Sequence, residues 1–226
     1  MNTKGIYRRT VGVCIAILGL LLVAGAVGLT VWNIRTDVDA GEVNEEVLDR
    51  VILAIQESRE ERQDDLVTEE ESDTVFIPGL FTPEDLLPDE KKSTEMKTAT
   101  VEGREYVGVL SIPILGLELS VMKNCDDQTI KNAPGRWCGN PHRNGFVIGG
   151  HNYRSHLGKI DRLREGDQVI FTDMKGKVFE YKVIGQEILD ADQGELLRDK
   201  EWALSLFTCT LAGNRRIVVR CLKAES

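Results

Sequence analysis

From Val11 to Trp32 the chain runs for 22 residues, VGVCIAILGLLLVAGAVGLTVW, without a charged side chain. As a helix such a run covers about 33 Å, enough to cross the hydrocarbon core of a bilayer. It is read as a transmembrane helix and separates the chain into a short head, an anchor and everything beyond. Lys4, Arg8 and Arg9 precede the run, and Asp37 and Asp39 follow it. That asymmetry keeps residues 1–10 in the cytoplasm and exports the rest, with Trp32 at the outer interface. A competing reading is a cleaved signal peptide, because Ala24-Gly25-Ala26 has a small-x-small pattern. Against it, the apolar run continues to Trp32, past the usual end of a signal h-region.

The net charge of −9 is unevenly distributed. Residues 36–100 carry twenty acidic and six basic side chains, whereas 101–226 carry seventeen and eighteen. The acidity therefore belongs to a stalk, 33–100, and the C-terminal part has no basic stripe suited to nucleic acid. Within the stalk, Val43, Val47, Leu48, Val51, Ile52 and Ile55 fall at helical spacing. The spacing predicts an amphipathic helix over 42–62 that packs on the domain or on itself. The acidic, aromatic-poor stretch from Gln63 to Thr100 reads as a loose linker.

Beyond Val101 the pattern changes to short β-rich runs: YVGVLS, LELSV, GFVIGGH, DQVIFTD, KVFEYKVIGQEIL, ALSLFTC and RIVVRCL. In the fifth, Phe179, Tyr181 and Val183 alternate with Glu180 and Lys182, as in a strand with one buried face. Seven such runs in residues 101–226 predict a mainly β domain, a small closed or nearly closed barrel. The cysteines, at 14, 125, 138, 209 and 221, make neither a C-x-x-C pair nor zinc-ligand spacing with the histidines, so no metal site is expected. Cys125 and Cys138, read as loop residues, are compatible with a disulfide or with two thiols.

Three residues at strand ends can converge on one chemistry. Cys209 ends ALSLFTC before the turn Ala212-Gly213-Asn214, His151 ends GFVIGGH, and Arg216 opens RIVVRCL. A tight turn between the last two strands brings Cys209 and Arg216 together. A cationic neighbour favours the thiolate form of a cysteine, histidine can protonate a leaving amine, and arginine can hold a carbonyl oxygen as it gains charge. Arg215 competes for the last role, but strand alternation points it to the opposite face. His142 and His156 read as loop histidines, and Cys221 as a packed thiol.

Ser205-Leu206-Phe207-Thr208-Cys209 resembles the T-L-x-T-C signature of sortases, with serine for the first threonine. Arg216-Ile217-Val218-Val219, Gly150-His151 and the segment Leu163 to Val169 are similar to further motifs of that family, and the order histidine, cysteine, arginine agrees. The resemblance covers roughly 101–223. It implies a closed eight-stranded barrel with short helices, a single-pass membrane enzyme with its catalytic domain outside the cell, and no cofactor. It also implies cleavage of a Leu-Pro-x-Thr-Gly-like C-terminal sorting signal on surface proteins through a thioester, then transfer to an amine of a peptidoglycan precursor. Cys209 would be the nucleophile, His151 the general acid and base, Arg216 the carbonyl-stabilising group and Thr208 a substrate contact. No Asp-Pro-aromatic lid motif and no second apolar run appear, so a general anchoring type is favoured over a pilus-building one. Alternatives are a catalytically silent surface-binding module and a secreted cysteine peptidase that hydrolyses its acyl-enzyme.

Overall fold

The computed structural model describes residues 3–70, 96–126 and 129–224, with the side chains of 17–61 in the first stretch. One helix, α1 (Thr3–Glu70), forms the N-terminal part. The chain divides into two compact units, Met1–Asp39 and Ala40–Ser226. In the first, the large apolar side chains from Ile17 to Ile34 are exposed on every side, with Leu20 and Leu29 at 74% and Trp32 at 76%. A helix apolar all round has no face for water, and its length and composition suit a membrane span. The Thr30 hydroxyl donates to the carbonyl of Ala26, 2.9 Å away, which satisfies the one hydroxyl of the run.

The helix expected at 42–62 is present as part of α1 and packs on the domain, and helical backbone continues to Glu70, past the linker start expected at Gln63. Residues 33–70 contain no proline, and their one glycine, Gly41, costs only about 1 kcal/mol in a helix interior. Gly41 also lets α1 come close to the barrel: a Cβ there would lie 3.3 Å from that of Ser155. Of the rest of the expected linker, 71–95 lies outside the described residues, and its last two residues, Ala99 and Thr100, lie in a strand.

Among the described residues nine strands follow: β1 (Ala99–Val101), β2 (Arg104–Ile112), β3 (Leu117–Met122), β4 (Gly135–Cys138), β5 (Phe146–Gly150), β6 (Gln168–Asp173), β7 (Val178–Asp190), β8 (Leu204–Cys209) and β9 (Arg215–Lys223). Their order is β1-β2-β3-β4-β5-β8-β9-β7-β6, and β2 pairs with β6 to close eight of them into a barrel. The closure needs Gly108, where a Cβ would stand 2.1 Å from the carbonyl oxygen of Thr172. β1 and β4 were not read from the sequence. β1 is a three-residue hairpin arm joined to β2 through Glu102 and Gly103, both at positive φ (51° and 75°), the geometry of a type I′ turn.

Leu110, Leu119, Phe146, Ile148, Phe171, Tyr181, Leu206 and Val219 fill the barrel interior, and Leu157, Ile160 and Leu163 of the β5–β6 connection join that core. On the outer side, Val47, Val51 and Ile55 of α1 pack against Tyr106, Val109, Met122 and Met174. The spacing of four residues puts them on one helix face. Asn44 locks the same face: its Oδ1 accepts from the Ser120 amide and hydroxyl, each at 3.1 Å, and its Nδ2 donates to the Glu118 carbonyl at 3.0 Å.

The helix is therefore expected to stabilise the barrel directly. Asn44→Ala strands the Ser120 amide without its acceptor and should cost about 1–3 kcal/mol. Val51→Ala empties a fully buried site and should cost about 2 kcal/mol. Both are measured as shifts of the urea midpoint of residues 40–226. Unchanged midpoints would mean that the contact between α1 and the barrel contributes nothing to folding.

Candidate active site

The register of three neighbouring strands builds the site. β5 and β8 run parallel, with Gly150 beside Thr208, and β8 and β9 run antiparallel, with Cys209 opposite Arg216. His151, one residue beyond β5, thus stands in the row of Cys209 and Arg216. Residues opposite each other across antiparallel strands have Cβ atoms about 5 Å apart and share a face, and adjacent strands lie about 4.8 Å apart. The register brings Cys209 and Arg216 to one end of the outer face, beside the end of β5 that leads into His151. Leu204, Leu206 and Val219 point into the barrel, while Val147, Phe207 and Val218, on the parity of the three residues, pack outside with Leu189 and Leu197.

Two glycines make room for this arrangement. At Gly149 a Cβ would lie 2.4 Å from the Phe207 ring and 2.8 Å from the Cys125 sulfur, and at Gly150 it would lie 2.6 Å from Leu157. The small residues before His151 thus admit neighbouring side chains on both faces of β5. Beyond Cys209 the chain turns through Gly213, at φ 73°, with Gly213 N–H donating to the Thr210 carbonyl and Thr210 N–H to the Arg215 carbonyl.

Cys209 is exposed, whereas Cys125 and Cys138 are half-buried and Cys221 is buried. Burial pushes the Cys221 thiol up to about 12 and raises that of Cys138. Cys125 and Cys138 are not joined in a disulfide, and Cys138 ends β4 rather than lying in a loop. His151 is held below the ordinary histidine value of 6.5, first by burial and then by the charge of Lys131. Its Nδ1 is buried without a hydrogen-bond partner among the described residues. One face of its ring lies on Tyr153, with centroids 4.0 Å apart and 14° between the planes.

Arg216 donates from Nη1 to the Ala191 carbonyl at 2.8 Å, which holds its guanidinium at the start of the β7–β8 connection. Arg215 is exposed on the other face, across from Asp190. The Thr208 side chain is buried and its hydroxyl donates to the Gly150 carbonyl at 3.0 Å, lacing β8 to β5. Its inward parity takes it off the face of Cys209. His156 lies in a loop as read, but it is fully buried, while His142 is half-exposed, 3.9 Å from Asp173.

Sequence reasoning missed Arg220. Only 5% exposed, it donates from Nε to Glu187 at 2.6 Å, from Nη1 to the Ser205 hydroxyl at 2.9 Å and from Nη2 to the Leu196 carbonyl at 2.8 Å. Arg216 and Arg220 lie on the same face of β9 and pin the β7–β8 connection at two carbonyls, so that connection walls the outer face beside Cys209. The available signal was the even spacing of two arginines along one strand, which places both on one side. Among the described residues no group of histidine, cysteine and carboxylate side chains could hold a metal ion.

The profile of the sortase domain family matches residues 110–224. Sortase A of Bacillus anthracis is 24% identical over 127 residues, which is 54% of this chain and 60% of that protein. Among solved structures, sortase A from Corynebacterium diphtheriae superposes with a TM-score of 0.50 at 22% identity, over 54% of this chain and 62% of the other. A Clostridium perfringens sortase D5 transpeptidase superposes with a TM-score of 0.50 at 18% identity, over 76% of this chain and 99% of the other. At these identities the structural likenesses speak to the fold.

Exposure ranks the thiols for a water-soluble alkylating reagent. Under native conditions Cys209 should be modified first, Cys125 and Cys138 more slowly, and Cys221 only on unfolding, as followed by peptide mass spectrometry. Modification of Cys221 at the rate of Cys209 in folded protein would contradict the inward placement of Cys221.

Proposed function

Because the chain belongs to the sortase family, we propose that it is a membrane-anchored cysteine transpeptidase with Cys209 as nucleophile, His151 as proton carrier and Arg216 as oxyanion partner. The observation that supports this reading is that the exposed Cys209 stands opposite Arg216, while its neighbour Thr208 pairs with Gly150, the residue before His151. Burial and the charge of Lys131 lower the His151 value and so favour the neutral imidazole, the form that can accept a proton.

The first step is removal of the Cys209 thiol proton by His151. Burial of Nδ1 supports Nε2 as the nitrogen that makes this exchange. The sulfur then attacks the carbonyl carbon at the cleavage point of a Leu-Pro-x-Thr-Gly-like sorting signal, and the carbonyl oxygen gains the negative charge. The guanidinium of Arg216, steadied by Ala191, donates to that oxygen. Collapse of the tetrahedral centre breaks the C–N bond, His151 gives its proton to the departing amine, and a thioester to Cys209 remains. An acceptor amine, that of a peptidoglycan precursor, attacks the thioester. Its proton passes to His151 and on to the Cys209 sulfur, so the enzyme is restored and one amide has replaced another.

The surface proteins that carry such a signal are the acyl donors. The span at 11–32 holds the enzyme in the membrane, residues 1–10 lie in the cytoplasm and the barrel lies outside. The lack of an Asp-Pro-aromatic lid motif in the sequence supports a general anchoring role.

Acylation rates of the full-length protein in detergent, with one accepted sorting-signal peptide, test the assignments. Cys209→Ala should be inactive, and His151→Ala should fall about 10²-fold or more. Arg216→Lys should fall about 10-fold or more, because a point charge replaces a planar fork, while Arg215→Ala stays near normal. The acid limb of the wild-type pH profile should lie below 6.5, since burial disfavours the imidazolium that cannot take the thiol proton. Collapse in folded Arg215→Ala beside a normal Arg216→Lys would put the oxyanion partner on the other face. A free acid as the sole product, with acceptor amine in excess, would make the enzyme a peptidase.

A further inference from the structure

An imidazole that moves a proton must present one nitrogen at a fixed angle, and the usual device is a hydrogen bond at the other nitrogen. His151 lacks that device among the described residues, since its Nδ1 is buried with no partner. Hydrogen bonding at Nδ1 therefore does not set rotation of the ring about its Cβ–Cγ bond. The flat contact with Tyr153, at 4.0 Å and 14°, can set it. At that separation the imidazole cannot turn edge-on without driving its rim into the phenol ring.

Tyr153 is itself rigidly mounted. Its carbonyl accepts from the amides of His156 at 3.0 Å and Gly158 at 2.8 Å, which closes a tight turn. Only glycine fits the end of that turn, because a Cβ at Gly158 would lie 2.5 Å from the same carbonyl oxygen. The phenol ring also leans on the fully buried His156, with centroids 5.5 Å apart at 57°. Between them Leu157 reaches into the barrel core below Gly150. Support therefore runs from the core through the turn at 153–158 to the Tyr153 ring and on to the imidazole.

We propose that Tyr153 is a positioning residue for His151, holding the imidazole in its working orientation through the face of its ring and not through its hydroxyl. The inference rests on the reading of His151 as proton carrier. It is tested on the full-length chain in detergent micelles with two readouts, one of them independent of turnover. With carbon-13 at Cε1 of the histidine rings alone, the three histidines give three imidazole signals, and that of His151 is assigned by its loss in His151→Gln. The signal should carry a ring-current shift that Tyr153→Phe retains and Tyr153→Leu loses.

Acylation by a sorting-signal peptide should stay within a factor of about three of wild type in Tyr153→Phe. It should fall about 10- to 100-fold in Tyr153→Leu, in the saturating rate and not in KM. If leucine prevents folding, Tyr153→Met fills the space without an aromatic face. An unshifted His151 signal in the leucine variant, a leucine variant as fast as wild type, or a phenylalanine variant as slow as leucine would each overturn the proposal. If the wild type is not acylated at all, the transpeptidase reading fails, and the ring-current comparison by itself upholds or rejects the stack.

Discussion

Everything chemical in this molecule depends on the hydrogen-bonded register of β5, β8 and β9. Side chains alternate along a strand, so a slip of one residue in any of the three would send its member of the row into the barrel. Several features resist such a slip. The Thr208 hydroxyl laces β8 to Gly150, and Phe207 and Leu157 close on the space left by Gly149 and Gly150. Inward placement of Leu204 and Leu206 is enforced by burial, since exposing one such side chain forfeits about 1.5–3 kcal/mol. The core thus fixes which face the reactive end residues occupy.

β9 adds the second level of control. Arg216 and Arg220 both reach backbone carbonyls of the β7–β8 connection, and Leu197 of that connection is buried against Val147, Phe207 and Val218. A buried guanidinium is tolerated when its donors are matched, and Arg220 matches three of them with a carboxylate, a hydroxyl and a carbonyl. Serine at 205, where the family signature has threonine, takes part in this network through its hydroxyl, which either residue supplies. The same strand therefore presents one arginine beside the thiol and spends another on the wall next to it.

Much of this was legible in the sequence for physical reasons. Alternation in Phe179, Tyr181 and Val183 and the long uncharged run at 11–32 are strong signals, and seven strands were read as short β-rich runs between turn residues. β1 and β4 escaped because three- and four-residue strands are too short to show a period, and β4 is held by its neighbours β3 and β5. The unbroken α1 was missed because its stalk is polar, and polarity was read as looseness where no proline breaks the helix. Thr208 took its expected substrate contact from the family resemblance, and nothing in the sequence signalled that its hydroxyl bonds the Gly150 carbonyl. Tyr153 meets His151 through a ring face, which has no spacing signature, and for Arg220 the only signal was its even spacing from Arg216.

The central claim is that the Cys209 sulfur becomes covalently bound to the acyl part of a sorting signal. Intact-mass spectrometry of the full-length protein, quenched in acid during reaction with a Leu-Pro-x-Thr-Gly-containing peptide, tests it most directly. The account predicts a species heavier by the peptide portion through threonine, sensitive to hydroxylamine as a thioester is, and located on Cys209 after digestion. An adduct on Cys125, Cys138 or Cys221, or turnover of the peptide with no adduct and full activity in Cys209→Ala, would contradict it.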